Sequence, residues 1–250
     1  MKALVTGASS GIGKHIAIEL TKRGYDLILV ATNKEKLEEV RKLCTKDSKV
    51  IVCDLRKRDA VLKLYESTKN EKVDIIVNNA GFGLFGTFDE TDINRELEMI
   101  DVNINAVHIL TKLFLKDFIK RDSGYILNVA SSAGFMAGPK LSTYYATKNY
   151  VLKLSLAIYE ELRRKKSGVH ISVLCPGPVD TNFNKVAKGT FSVKPNSPEY
   201  VAKYAITKMF NNKLIIIPDL KIKAAIFGTR VLPTKLLLKF TYNIQDKKTR

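Results

Sequence analysis

Residues 5–13 read VTGASSGIG, and the fold turns on this stretch. It follows the apolar run KALVT (2–6) and opens a segment of helical periodicity over 11–23, so the order is strand, glycine turn, helix. Gly7, Gly11 and Gly13 are spaced G-x-x-x-G-x-G. A tight turn needs a residue free to take positive φ, and a pyrophosphate needs backbone with no Cβ in the way. The helix that follows offers unpaired N–H groups and the positive end of its dipole. The pattern is close kin to a dinucleotide-binding turn. Its candidate cradle is Gly7, Ser9, Ser10, Gly11, Ile12 and Gly13, with Lys14 just beyond as a candidate partner for a further phosphate.

Outward from this turn the same alternation continues. LILVA, KVIVC, VDIIVN, GYILNVAS, VHISVLCP and LIIIP read as strands. Between them lie helical segments at 34–43, near 57–70, around 100–120 and over about 143–166. Fully apolar strands between helices imply a sheet buried on both faces. The expected fold class is therefore α/β, a Rossmann-type doubly wound parallel sheet with helices on both faces. Right-handed crossovers place the strands' C-terminal ends on one edge, where ligands bind in such folds. With no linker or repeat in view, residues 1–250 are read as a single domain.

Composition narrows the classes. The chain has 250 residues, 45% of them hydrophobic, which is enough for one large core. Cys44, Cys53 and Cys175 are odd in number and widely spaced, matching neither a disulfide framework nor a zinc pattern. His15, His108 and His170 have no partners at ligand spacing, so no metal site is expected. The N-terminus runs straight into the glycine turn, and a cytoplasmic location, with the option of contact with a membrane surface, is the expectation. The net charge of +17 permits nucleic acid, anionic lipid or an acidic ligand, but no nucleic-acid recognition motif accompanies it.

The end of the second strand normally selects the cofactor, because a carboxylate there accepts from the ribose 2′-hydroxyl and repels a 2′-phosphate. This chain reads LVATNKEKL over 29–37, with no carboxylate before Glu35. Thr32 and Asn33 can donate hydrogen bonds, and Lys34 or Lys14 could supply charge. NADP(H) is therefore favoured over NAD(H).

One further segment is legible from spacing. STYYATK, 142–148, holds two tyrosines and a lysine. On a helix, residues four apart share a face, so Tyr144 pairs with Lys148 while Tyr145 turns about 100° away.

Taken together, the motifs resemble the short-chain dehydrogenase/reductase family, in its classical subgroup, over roughly residues 1–218. The glycine turn is similar to the family's cofactor motif. CDL places Asp54 and Leu55 where the adenine is met, and NNAG places Asn79, Ala80 and Gly81 beside the cofactor. DVNINA, by its register, places Asn103 at the family's structural and catalytic asparagine. NVASSAG supplies the serine, and thirteen positions before Tyr144 is Ser131. CPGPVDT matches the nicotinamide loop, with Pro176, Gly177, Val179 and Thr181 as candidate contacts.

The resemblance implies hydride transfer between nicotinamide and a carbonyl or alcohol carbon. Tyr144 is the implied general acid/base, its phenol lowered by the Lys148 ammonium and the oxidised nicotinamide. Ser131 holds the substrate oxygen, Lys148 also binds the nicotinamide ribose, and Asn103 holds a relaying water. Phe82, Leu84, Phe85, Phe135 and Met136 could line an apolar pocket for a small, apolar substrate. Residues 183–198 resemble the family's substrate lid, and a homodimer or homotetramer through the helices at 100–120 and 143–166 is implied. The alternative is a non-enzymatic NADP-binding sensor or scaffold. That reading needs the glycine turn but not the proton donor.

The basic extension, 220–250, departs from the family pattern. Over 222–242 Ile226, Phe227, Val231, Leu232 and Leu236–Leu238 alternate with Lys and Arg, and Pro233 splits the segment into two short helices. Such a segment can lie on an anionic membrane surface, pack on a partner subunit, or cover the substrate pocket.

Overall fold

A computed structural model describes residues 1–181, 183, 195–229 and 231–246. Seven strands form one parallel sheet. The first half runs β1 (Lys2–Thr6), α1 (Gly11–Lys22), β2 (Asp26–Ala31), α2 (Lys34–Lys42), β3 (Ser48–Val52), α3 (Arg58–Thr68) and β4 (Val73–Asn78). Next come α4 (Ile93–Ile100), a π-helical turn (Asp101–Ala106) and α5 (Val107–Lys120), stacked end to end as one long helix. The second half continues with β5 (Gly124–Val129), α6 (Ser142–Arg164), β6 (Val169–Leu174), α7 (Pro198–Phe210) and β7 (Ile215–Ile216). Two helices, α8 (Leu220–Gly228) and α9 (Thr234–Asp246), end the described chain.

The strand order is β3-β2-β1-β4-β5-β6-β7. The chain works outward from β1 to one edge, returns to β4 beside β1, and works outward to the other. The β1/β4 boundary is thus the switch point, and a crevice opens outside the C-terminal ends of those strands. Strand alternation sends Ala3 and Val5 to one face and Leu4 to the other. The first face packs on Ile16 and Leu20 of α1 and on Ile206 and Met209 of α7. The second packs on Leu64 of α3, Leu110, Phe114 and Phe118 of α5, and Leu162 of α6. Each such side chain, once buried, contributes about 1.5–3 kcal/mol. This is the two-faced sheet that the apolar strands implied.

Two details differ from the sequence reading. The last strand is only Ile215–Ile216, because β6 is its sole neighbour at the sheet edge. The helix expected around 100–120 starts earlier, at Ile93, and carries the π turn where Asn103 sits. The split of the tail at Pro233 is as expected.

Candidate active site

A cleft of 830 Å³ occupies the crevice at the switch point. Its floor begins at the glycine turn, where Gly7 (φ +64°) and Gly11 (φ +53°) take the left-handed conformation. A Cβ on Gly13 would stand 2.3 Å from the Gly7 carbonyl oxygen, so helix α1 can pack this close to the turn only with glycine there. Thr6, which motif reading passed over, ties the turn to the neighbouring loop. Its hydroxyl donates to the Val77 carbonyl (3.2 Å) and accepts from the N–H groups of Asn79 (3.0 Å) and Ala80 (3.1 Å). The Asn79 side-chain amide in turn donates to the Thr6 and Gly7 carbonyls.

The start of α1 is uncapped, as are those of α3 and α6, but only α1 follows the glycine turn. Asn33, Asp92, Ser197 and Asp219 each accept N–H groups at the starts of α2, α4, α7 and α8. Ser10 makes no such side-chain cap on α1. Ser9, Ser10, Gly11 and Ile12 line the cleft, so the first-turn N–H groups of α1 face it unpaired by a cap. Glycines without Cβ atoms and an open helix N-terminus fit a diphosphate.

Beside the ends of β2 and β3, Thr32, Asp54 and Leu55 line the cleft, whereas Lys14, Asn33 and Lys34 are not among its lining residues. Asn33 spends its carbonyl oxygen on the Lys36 N–H at 2.7 Å, capping α2. Two arginines that spacing did not single out, Arg56 and Arg95, are on the lining, both paired with Glu98; the first also holds Asp54. The Arg56 guanidinium grips both Asp54 oxygens at 2.9 Å and donates to Glu98 at 2.8 Å. Arg56 holds the Asp54 carboxyl below the usual carboxylate range.

The proposed catalytic residues meet at the other end. Ser131 lies two residues beyond β5, accepts from the Ala133 N–H at 3.1 Å and hydrogen-bonds to the Tyr144 phenol. Tyr144 and Lys148 lie one turn apart on α6, with Lys148 Nζ 5.8 Å from the Tyr144 ring centroid. That Nζ, 5% exposed with its side chain, donates to the Val129 carbonyl at 3.0 Å. Gly81 runs between Asn103 and Lys148, and a Cβ there would stand 2.9 Å from Asn103 Oδ1 and 3.2 Å from Lys148 Nζ. Asn103 makes three side-chain hydrogen bonds within the protein. It accepts from the Phe82 N–H and donates to the Phe82 carbonyl and to Thr147 Oγ1, pinning the loop after β4 to α6.

Burial pushes the Tyr144 phenol up, with the Ser131 hydrogen bond opposing it. Burial also brings the Lys148 pKa down to about 8, and one of its three N–H groups is given to the Val129 carbonyl. Beneath it lies Cys175, whose buried thiol is pushed up to about 12 and is no nucleophile.

The far wall combines Pro176, Gly177, Val179 and Thr181 with the tail. Of the pocket candidates, Phe82, Phe85 and Met136 line the cleft, while Phe135 packs in the core and Leu84 is not on the lining. The ring of Phe183 lies 5.2 Å from that of Tyr144. Most of the expected lid, 184–194 together with Asn182, lies outside the described residues. Ile222 and Ala225 of α8 and Thr241, Ile244 and Gln245 of α9 also line the cleft. Of the three readings of the extension, the structure supports the pocket cover directly. Among the described residues no group of three or more His, Cys, Asp or Glu could hold a metal ion.

Residues 1–190 match the family model described as short chain dehydrogenase. A very-long-chain 3-oxoacyl-CoA reductase of Anas platyrhynchos is 34% identical over 208 residues, which is 80% of this chain but 66% of that protein. An uncharacterized oxidoreductase of Staphylococcus aureus is 33% identical over 82% of this chain and 90% of its own. Among solved structures, a short-chain dehydrogenase of Sphingobium yanoikuyae in complex with NADPH is 27% identical, with a TM-score of 0.83 over 92% of this chain and 93% of that one.

Proposed function

The chain belongs to the short-chain dehydrogenase family, and on that premise we propose that it is an NADP(H)-dependent reductase of a small, apolar carbonyl compound, with Tyr144 as general acid. The observation that carries this reading is the convergence of Ser131, Tyr144 and Lys148 on the cleft that holds the glycine turn, with Asn103 buried behind them and bonded to Thr147 of the same helix. A sensor or scaffold would need the turn but not a phenol joined to a serine and a buried lysine.

When bound, a nicotinamide supplies the hydride; the residues do the rest. The bare backbone at Gly7 and the open start of α1 hold the phosphates. Ser131 donates to the substrate oxygen as charge develops there. At neutral pH the raised phenol of Tyr144 is protonated and ready to give its proton to the forming alkoxide. Lys148, still cationic below pH 8, stabilises the phenolate left behind. Both N–H groups of the Asn103 carboxamide and one acceptor site of its oxygen are engaged, which fixes the residue beside the π turn; its place in the reading is to hold the water that replenishes the proton.

The absence of a carboxylate at Thr32 and the presence of Arg56 on the lining support NADP(H) over NAD(H). The test is oxidation of NADPH and of NADH against a panel of aldehydes, ketones and diketones. Turnover at least tenfold more efficient with NADPH, about 1.4 kcal/mol, is expected. Equal efficiency would remove the cofactor assignment, and no turnover with tight binding would favour the sensor.

Exposed Ile93, Leu97 and Ile119 on the α4–α5 helix support a homodimer or homotetramer; a monomeric mass in sedimentation would refute it. No helix among the described residues is long and apolar enough to cross a membrane. The placement proposed is the cytoplasm, with peripheral contact through the tail. The outer side of the tail exposes Leu220 (81%), Phe227 (71%) and Phe240 (53%) beside Lys221, Lys223, Lys235 and Lys239, a combination suited to an anionic lipid surface. Deleting the tail would also remove the cleft wall, so Phe227→Ser with Phe240→Ser is the cleaner variant. It should lose co-sedimentation with phosphatidylserine vesicles and keep its turnover of soluble ketones. Unchanged co-sedimentation, or none in the wild type, would end the idea.

A further inference from the structure

Tyr145, unused by the chemistry above, stands opposite Gln245 across 100 positions of sequence. Its ring is fixed against Gly138, where a Cβ would meet ring carbons at 2.4 Å. It lies at 78° to the Tyr144 ring, with centroids 6.2 Å apart. Gln245, 2% exposed, comes from the last turn of α9, which the Lys140–Asp246 ion pair holds to the loop before α6. Both side chains line the cleft.

The hydrogen-bond inventory of this corner does not close. Gln245 Nε2 donates to the Tyr145 oxygen, so the phenol proton is left to be donated elsewhere. Gln245 Oε1 is buried with no partner among the described residues. Turning the amide over leaves one polar atom unmatched in the same way. A buried carbonyl without a partner costs about 1–3 kcal/mol, and such orphans are rare in native proteins. Burial pushes the Tyr145 phenol up to about 12, which keeps it a donor at neutral pH. Around this pair stand the apolar side chains of Phe85, Leu141 and Phe183, with the Tyr144 phenol beyond.

We propose that Tyr145 and Gln245 form a second recognition point in the substrate chamber, one that takes a hydroxyl or secondary amide carried a few bonds from the reacting carbonyl of an apolar compound. Such a group both accepts, from the Tyr145 O–H, and donates, to Gln245 Oε1. The assignment of a reacting carbonyl rests on the reductase reading above; the polar corner does not.

The test is calorimetric titration of the protein, with and without NADP⁺, by methyl ketones bearing a hydroxyl at successive carbons and by their unsubstituted parents. NADP⁺ has no hydride to give, so binding is read without turnover. At least one hydroxylated ketone should bind about tenfold or more tightly than its parent, about 1.4 kcal/mol. Gln245→Met and Tyr145→Phe should each reduce that preference to about threefold or less, with near-UV circular dichroism unchanged. If no hydroxylated ketone outbinds its parent, or the preference survives in both variants, the proposal is overturned. Hydroxyl-dependent binding without NADPH turnover would sink the reductase reading and leave this one standing.

Discussion

Tyr144→Phe should lower kcat by about 10²-fold or more while leaving the fold and NADPH affinity unchanged. The phenylalanine keeps the ring, which packs on Phe183 and stands at right angles to Tyr145, so the pocket retains its shape. What is lost is the proton donor and the partner of Ser131. Because the effect lies in the transition state, kcat and kcat/KM should fall together. Tyr145→Phe is the control within the same helix turn, since its hydroxyl faces Gln245. Stopped-flow or steady-state kinetics on the best ketone of the panel would measure both variants. If Tyr145→Phe removed the chemistry and Tyr144→Phe did not, the spacing argument would have selected the wrong phenol.

The second large effect joins function to stability. Lys148→Met should abolish turnover to a similar degree and yet leave the protein as stable at neutral pH, or more so. Burial lowers the Lys148 pKa from 10.5 to about 8. Holding the charged form in the folded state at pH 7 therefore costs roughly 3 kcal/mol. Methionine preserves the apolar stem and removes the charge, but it also removes the charge-assisted bond to the buried Val129 carbonyl, worth about 1.5–3 kcal/mol. The net effect lies between neutral and a gain of about 1.5 kcal/mol, a rise in Tm of up to a few degrees at about 2–4 °C per kcal/mol for a chain of this size.

The pH dependence has a definite sign. Between the folded value near 8 and the unfolded value of 10.5, the unfolded chain holds a proton that the folded chain has lost. Wild-type stability should therefore gain from this group as pH rises through that window, and below pH 8 the penalty is full. Lys148→Met should lack this contribution. Calorimetric melts of both proteins near pH 7 and near pH 10 would test it. A variant less stable than wild type at pH 7, with parallel profiles, would contradict a buried, disfavoured ammonium. A catalytic group kept at the expense of stability is the usual trade at active sites.

Much of this was legible in the amino-acid sequence because it is written locally. Strands such as VDIIVN are apolar throughout, so they announce a sheet covered on both faces, and the two cores bear that out. The pairing of Tyr144 with Lys148 follows from helical geometry alone, and so does the turning away of Tyr145. Pro233 marked the break in the tail. The rest depends on contacts between distant positions, which no local pattern encodes. The Thr6 hydroxyl finds its partners more than 70 positions away. Arg56 reaches the cleft because Asp54 and Glu98 orient it, whereas Lys14 and Lys34, plausible by spacing, are not on its lining. The phenol's upward shift is a matter of burial, and burial belongs to the packed chain. Gln245 completes the wall only because α9 folds back across the cleft mouth.

The most direct measurement is the fate of a label. The protein would be given its best ketone with NADPH deuterated at C4, and the alcohol product examined by mass spectrometry and NMR. The account predicts one deuterium on the carbinol carbon, delivered to a single face, with product formation in Tyr144→Phe reduced about 10²-fold or more. Product alcohol that carries no deuterium from either C4 position, or formation that proceeds unchanged in Tyr144→Phe, would contradict it.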